Sequence, residues 1–233
     1  MEIHALFDGF AWLSAALVTV ALRRWFADAF VSPGRPAASY LIAVVVGAAL
    51  GAYGLGTLNL WLSGLSGVAR SIEGALAGAI LAVELYKWRR GIVGRTAALF
   101  ALPAAIGIAV GRVGCYLAGL DDFTYGVPTD LPWGHDFGDG VLRHPVQLYE
   151  SFAMLIFAAL YCVALVRRQP ELIANGFALF VLVYAVQRFG IEFLKPYGSL
   201  VLDLTLFQVV CALMIVYALA LLRPRKLPDA QRA

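Results

Sequence analysis

Residues 111–150 read GRVGCYLAGLDDFTYGVPTDLPWGHDFGDGVLRHPVQLYE. This is the longest polar interruption in the chain. It carries Arg112, Arg143, five aspartates, Glu150 and two of the three histidines. The sequence on either side is apolar over long runs, and apolar runs of that length read as membrane helices. The quoted stretch is therefore a loop between two such helices, and the rest of the chain holds it at a membrane surface.

Composition agrees. Of the 233 residues, 61% are hydrophobic and only 14% charged, with a mean hydropathy of +0.80. A soluble domain is nearer half apolar and a quarter charged. No basic patch interleaved with aromatics is present, which argues against a nucleic-acid partner. Cys115, Cys162 and Cys211 form neither a disulfide framework nor a zinc spacing. Cys162 and Cys211 lie inside apolar runs and read as core residues. Asp121, Asp122, Asp130, Asp136 and Asp139 match no recognised cation loop and read as a solvated loop with Asx turns. No metal and no cofactor are expected.

Seven apolar segments emerge, at about Phe10–Leu22, Ser39–Leu62, Ile72–Tyr86, Ala97–Val110, Val146–Val166, Gly176–Phe193 and Leu202–Leu222. Gly47, Gly51 and Gly54 in the second allow a close helix contact. Ala27-Asp28-Ala29 resembles a signal-peptide cleavage site. However, Glu2 and Asp8 precede the first apolar segment and Arg23-Arg24 follow it, the reverse of a signal peptide, so a retained first helix is expected. Arg23, Arg24, Arg35, Lys87, Arg89, Arg90, Arg95, Arg167, Arg168, Arg223, Arg225, Lys226 and Arg232 all fall on one side of this threading, thirteen of the 18 Lys and Arg residues. By the positive-inside rule that side is cytoplasmic. The expectation is an all-α integral membrane protein, one transmembrane domain over 1–233. It has seven transmembrane helices, an outside N-terminus, a cytoplasmic C-terminus and an extracytoplasmic loop at 113–143 between helices four and five.

The threading also gathers the ionisable residues of the apolar segments at one depth. Glu73 lies near the outer end of segment three, and Arg112 closes segment four. His144, Gln147 and Glu150 open segment five, and Arg188 and Glu192 lie in the outer half of segment six. A charge at mid-bilayer costs about 2.5–3.5 kcal/mol on insertion scales, so such residues have partners or a task. Tyr184, Arg188 and Glu192 follow an i, i+4, i+8 spacing and share one helix face. Two readings stand. Arg188–Glu192 is an ion pair that ties helices together, or Arg188 is aimed at an anionic headgroup, with Glu192 fixing its fork and Tyr184 adding a donor. Arg112 between Gly111 and Gly114 is either a snorkelling helix-end arginine or a phosphate site opened by the glycines. Pro145 suits a helix start, which leaves His144 beside an N-cap, while Gln147 and Glu150 lie one turn apart. Glu73 is a structural partner of Arg112 or Arg188, or a general base.

These residues carry a resemblance. Gly111-Arg112-Val113-Gly114, Leu131-Pro132-Trp133-Gly134, His144-Pro145 with Gln147-Leu148-Tyr149-Glu150, and Tyr184 with Arg188-Phe189 and Glu192-Phe193 resemble motifs of the bacterial prolipoprotein diacylglyceryl transferases. Order and spacing agree over about Ser71 to Pro196. The resemblance implies a multi-pass enzyme of the bacterial cytoplasmic (inner) membrane. It would move diacylglycerol from phosphatidylglycerol, or a similar anionic phospholipid, to the cysteine thiol of a lipobox-containing preprotein. Arg112, Arg188, Glu73, His144 and Tyr184 would then be catalytic. Arg112, Arg143, Gln147, Tyr149, Glu150, Arg188 and Glu192 would bind phospholipid, with Glu150 and Glu192 orienting the arginines. Glu73 stands where the family carries histidine, Cys115 where it carries asparagine, and Lys195 where it carries arginine. The alternative is a catalytically altered or inactive paralogue that binds anionic phospholipid, or a transferase with a different acceptor. A transporter is disfavoured, because the ionisable residues gather at one depth rather than lining a path.

Overall fold

The computed structural model describes residues 2–30, 38–92, 94 and 96–223. Its long helices are α1 (Glu2–Trp25), α2 (Ala38–Leu62), α3 (Ile72–Arg90), α4 (Ala101–Ala118) and α5 (Val146–Val166). A short α6 (Pro170–Ala174) leads into α7 (Gly176–Glu192), and α8 (Leu206–Leu222) follows. Local sequence sets several helix ends. Ser71 caps α3 by accepting the Gly74 N–H, and Gly91 ends it in the left-handed conformation at φ 64°. Pro170 opens α6 at a position where its missing N–H costs nothing. Thr205 and Gln208 form a reciprocal capping box on α8.

Among the described residues, four helical stretches are long and apolar enough to cross a membrane: Ala5–Trp25, Ala38–Leu62, Ala98–Asp122 and Val146–Val166. Their outward faces carry exposed apolar side chains such as Trp12, Leu17, Leu50, Phe152 and Leu160. In water these faces would be a liability, whereas in lipid they are the expected surface. The chain is a multi-pass membrane protein.

Neighbouring pairs are α1 with α4, α2 with α3, α4 with α5, and α7 with α8, and α5 and α7 also touch. The core lies among α4, α5, α7 and α8, around residues such as Leu102, Met154, Phe180 and Met214. α2 and α3 approach backbone to backbone. A Cβ at Gly51 would fall 2.1 Å from the Gly74 carbonyl oxygen, and one at Gly78 would fall 2.2 Å from that of Gly47. Gly54 takes no part, since nothing lies within 4 Å of a Cβ there.

Several segment ends differ from the sequence expectation. α1 starts earlier, at Glu2. α4 runs past Val110 to Ala118 and is followed by a 3-10 turn at Gly119–Asp122, so the first residues of 113–143 are helical and Arg112 lies inside the helix rather than closing it. α8 starts only at Leu206. Leu202 and Asp203, with φ 51° and 58°, form the turn between short strands β3 (Ser199–Val201) and β4 (Leu204–Thr205). A second small ladder pairs β1 (His135–Asp136) with β2 (Leu142–Arg143) inside the polar stretch. Neither ladder is anticipated by the apolar pattern. Cys211 is buried as expected, but Cys162 faces outward. Ala27–Ala29 is a 3-10 turn whose Asp28 pairs with Arg168.

Arg23, Arg24, Lys87, Arg89, Arg90, Arg167, Arg168 and Arg223 sit at one end of the bundle. Arg35, Arg95, Arg225, Lys226 and Arg232 lie outside the described residues. Glu73, Arg112, Glu150, Arg188, Glu192 and the polar stretch occupy the other end.

Candidate functional site

Five parts of the chain bring ionisable side chains to one buried point. The Ser71 cap starts α3 so that Glu73 falls in its first turn. The continuation of α4 carries Arg112. The first turn of α5 carries Gln147 and Glu150. The last two turns of α7 carry Arg188 and Glu192. The chain then folds back through a tight turn, in which the Lys195 N–H donates to the Glu192 carbonyl (3.1 Å), and Lys195 returns to the cluster.

Glu150 is the hub on one side. Its Oε2 lies 2.7 Å from Arg112 Nε. Its Oε1 lies 2.6 Å from Lys195 Nζ and 3.8 Å from Arg188 Nη1. Arg188 is the hub on the other side, with Nε 3.2 Å from Glu73 Oε2 and Nη1 2.5 Å from Glu192 Oε2. Its guanidinium also stacks on Phe207, 5.1 Å from the ring centre. Further donors fix the carboxylates from α8 and its cap: the Cys211 thiol donates to Glu73 Oε1 (3.3 Å) and the Thr205 hydroxyl to Glu192 Oε1 (2.7 Å).

The unit is three cations against three carboxylates, neutral when all are ionised. Even its most exposed member, Arg112, shows only 8% of its surface. Several contacts at Arg188, Arg112 Nε and Glu150 Oε2 lie within ion-pair distance but outside hydrogen-bond alignment. Desolvating such ions costs several kcal/mol each, and removing one partner is worse still.

Tyr184 lies one turn before Arg188, fully buried, and its hydroxyl has no hydrogen-bond partner among the described residues. Gln147 is buried beside Glu150, with Nε2 3.4 Å from the Thr124 hydroxyl. The spacing-based pairing of Arg188 with Glu192 is present, and so is the Glu73–Arg188 alternative. Of the glycines beside Arg112, Gly114 allows close packing, since a Cβ there would fall 2.3 Å from Phe7 Cβ of α1, whereas one at Gly111 would meet only Ala11 at 3.8 Å.

Arg143, His144 and Tyr149 form a separate group on the polar stretch. Arg143 makes a two-pronged pair with Asp139 (2.6 and 2.8 Å) and lies over Tyr125. The Arg143 guanidinium holds the Asp139 carboxyl below its ordinary value. The Tyr149 hydroxyl accepts from Trp133 Nε1 (2.8 Å) and lies 3.4 Å from His144 Nδ1. The backbone N–H groups of Gly138, Asp139 and Gly140 donate to Asp136 Oδ1, an Asx-type turn. Among the described residues, no group of three or more His, Cys, Asp or Glu side chains is arranged to hold a metal ion.

Lys195 was noted only as a departure from the family and Cys211 only as a core residue, and Thr205 was not singled out; none was expected in the cluster. Lys195 had a signal, since it falls three positions after Glu192 and is, among the described residues, the one lysine at this end of the bundle. The Thr-x-x-Gln spacing marks a helix start but not a bond to Glu192. Nothing in the sequence ties Cys211 to Glu73.

Apolar helices around a buried, charge-balanced cluster define an integral membrane protein with a polar site at one end of its bundle. A family model for prolipoprotein diacylglyceryl transferase matches residues 9–223. The chain belongs to that family. Curated relatives carry the name phosphatidylglycerol–prolipoprotein diacylglyceryl transferase. The one from Methylococcus capsulatus is 35% identical over 173 residues, covering 70% of this chain and 62% of the relative. That of Nitratidesulfovibrio vulgaris is 34% identical over 205 residues, 79% of this chain and 74% of the relative. That of Pseudomonas aeruginosa is 33% identical over 172 residues, 70% and 61%. The chain thus spans about three fifths of the length of most of these relatives. No solved structure matches it significantly.

Proposed function

We propose that this chain is a diacylglyceryl transferase of the bacterial cytoplasmic membrane. It would take diacylglycerol from phosphatidylglycerol in the outer leaflet and pass it to the cysteine thiol of a lipobox-containing preprotein. In this reading seven helices span the bilayer, the N-terminus is outside, and residues 113–143 form an extracytoplasmic loop. The names of the relatives support the reaction, and the gathering of basic residues at one end of the bundle supports the orientation.

The observation that carries the proposal is the meeting of Arg112 and Arg188, from α4 and α7, on the single carboxylate of Glu150. Two guanidiniums so placed suit a phosphodiester, because each presents a planar fork of donors that stays charged. In the reaction the acceptor sulfur bonds to the glyceryl carbon, and the bond from that carbon to the phosphate oxygen breaks. Glycerol phosphate departs with the electron pair. Arg112 and Arg188 stabilise the charge gained by the phosphate, Glu150 and Glu192 hold the two forks, and Tyr184 adds a donor beside Arg188. The thiol must lose its proton to attack. Glu73, in contact with Arg188, is the better placed acceptor, and His144, bonded to Tyr149, is the other candidate. Arg143, Gln147 and Tyr149 contact the headgroup from the loop side.

The test supplies labelled phosphatidylglycerol and a lipobox peptide to the purified protein. Lipid should appear on the peptide cysteine, and Arg188→Ala should lower transfer by about 10²–10³-fold, as for loss of one oxyanion donor. No transfer by a protein whose helicity is intact would reject the reaction. Retention of the lipid without turnover would assign a binding role instead.

A further inference from the structure

Beside the charge cluster, α5 and α7 carry uncharged polar atoms that are buried and unsatisfied. Gln187 stands one residue before Arg188 and three after Tyr184, so it neighbours Tyr184 on the surface of α7. Both polar atoms of its amide, Oε1 and Nε2, are shut off from solvent and bond to nothing among the described residues. Gln147 Oε1, one turn before Glu150 on α5, is in the same state, and so is the Tyr184 hydroxyl. The two helices touch, and the Arg188–Glu150 contact (3.8 Å) joins them at this level. Native proteins leave few buried polar atoms unpaired, because each gives up its bond to water without a replacement.

The open atoms select what they can bind. The Thr124 hydroxyl has one proton and gives it to Asp122 Oδ2 (2.8 Å). Towards Gln147 it can only accept, which fixes the Gln147 Nε2 end at Thr124 (3.4 Å) and leaves Oε1, an acceptor, open. Gln187 opens an acceptor and a donor whichever way its amide is turned. The unmet set is two carbonyl acceptors, one amide donor and a phenol hydroxyl. An ammonium cannot accept from the amide, and a carboxylate or phosphate oxygen cannot donate to the carbonyls. Hydroxyl groups do both. They also add no charge to a cluster whose three cations and three carboxylates already balance.

We infer that Gln187 and Gln147 line a subsite for a small diol and that Gln187 determines its specificity. The two carbonyl acceptors call for two donated protons, hence two hydroxyls on one group, and the Gln187 amide donates back to one of them. The inference rests on the reading of the cluster as a phospholipid site, with the phosphate at Arg112 and Arg188. The diol is then presented by the glycerol head of a lipid, or by glycerol phosphate free in solution, which has the same chemistry.

The test measures binding, not turnover, so it stands apart from the transfer assay. The full-length protein in phosphatidylcholine nanodiscs is titrated with phosphatidylglycerol and with phosphatidylpropanol, which has the same charge and no hydroxyl. Binding is read from the shift of the thermal midpoint. Phosphatidylglycerol should bind about tenfold more tightly, the value of one to two neutral hydrogen bonds. Gln187→Leu and Gln147→Leu should each bring that ratio towards one. Gln187→Leu should not lower the midpoint without added ligand, since it removes an unsatisfied polar group from a buried place. Gln187→Met replaces it if the leucine variant fails to fold. Glycerol phosphate in solution separates the two sources: binding that is lost in Gln187→Leu assigns the free polyol, and no binding assigns the lipid head. Equal binding of the two lipids by wild type, as water filling the subsite would give, or an unchanged ratio in both folded variants overturns the inference. Absence of saturable binding by all three ligands overturns the phospholipid reading of the cluster and this inference with it.

Discussion

Arg188 shows what one side chain is asked to do here. It faces carboxylates from α3, α5 and its own helix, and lies over an aromatic ring of α8. Its spacing with Glu192 was legible, because i and i+4 are neighbours on any helix. Its pairing with Glu73 was one of two options the sequence left open, Arg112 or Arg188, and only the fold chose between them; its contact with Glu150, distant in sequence, needed the fold as well. Arg188→Ala leaves three buried carboxylates short of a counter-charge and should destabilise the fold by about 3–5 kcal/mol, read as a lower thermal midpoint in detergent. Adding Glu73→Gln to it should recover part of that loss. Equal midpoints for wild type and Arg188→Ala would mean the cluster is not coupled to the fold. A second residue-scale prediction concerns the loop. The Arg143 guanidinium lowers the Asp139 pKa, so the pair contributes fully above the ordinary carboxylate value of about 3.9 and is lost as pH falls through the lowered one. A carboxyl-carbon NMR titration should place the Asp139 midpoint below ordinary aspartate, and Arg143→Ala should return it there.

At the scale of elements, the clasp of α2 on α3 positions Glu73. The glycine run was visible in the sequence, but it could not show which glycines face the partner. That depends on how each helix is rotated about its axis, which packing decides. Gly78→Val places methyl groups against the Gly47 carbonyl, where the obstacle is backbone and cannot turn aside. The cost should reach or exceed the ~1–3 kcal/mol of an overpacked core, and spin labels on α2 and α3 should report a wider separation. Gly54→Ala meets nothing and should be neutral, or stabilising by up to about 1 kcal/mol, since alanine is the better helix former. The caps at Ser71 and Thr205 are of residue types that suit a helix start, yet the apolar pattern placed segment seven from Leu202, before the Thr205 cap. The extension of α4 to Ala118 was not legible, because Gly111, Gly114 and a charged Arg112 look like a helix end until Phe7 and Glu150 are seen to cover them.

For the whole molecule, the charge distribution makes the orientation testable. If the basic end is cytoplasmic, single cysteines near Arg89, Arg167 and Arg223 in a cysteine-free background should react with a membrane-impermeant maleimide only after the cells are permeabilised. A cysteine at Asp130 should react in intact spheroplasts. The reverse pattern would invert the topology. The two ends of the bundle also differ in kind: one holds a balanced cluster of six charges, the other an apolar chamber edged by the Lys87–Glu84 ion pair.

The sequence by itself determined that this chain is helical and membrane-embedded, because apolar composition and run length are local properties that the bilayer reads directly. The motifs, as residue types in order, likewise carried the family. Only the tertiary structure decided which charges meet. It joined Lys195 and Arg112 through Glu150, tied Cys211 to Glu73, and paired Arg143 with Asp139. Those pairings hang on helix rotation and on chain reversals such as the turn at Lys195. Ångström-scale distances between segments far apart in the chain set them, and no spacing along one helix encodes such distances.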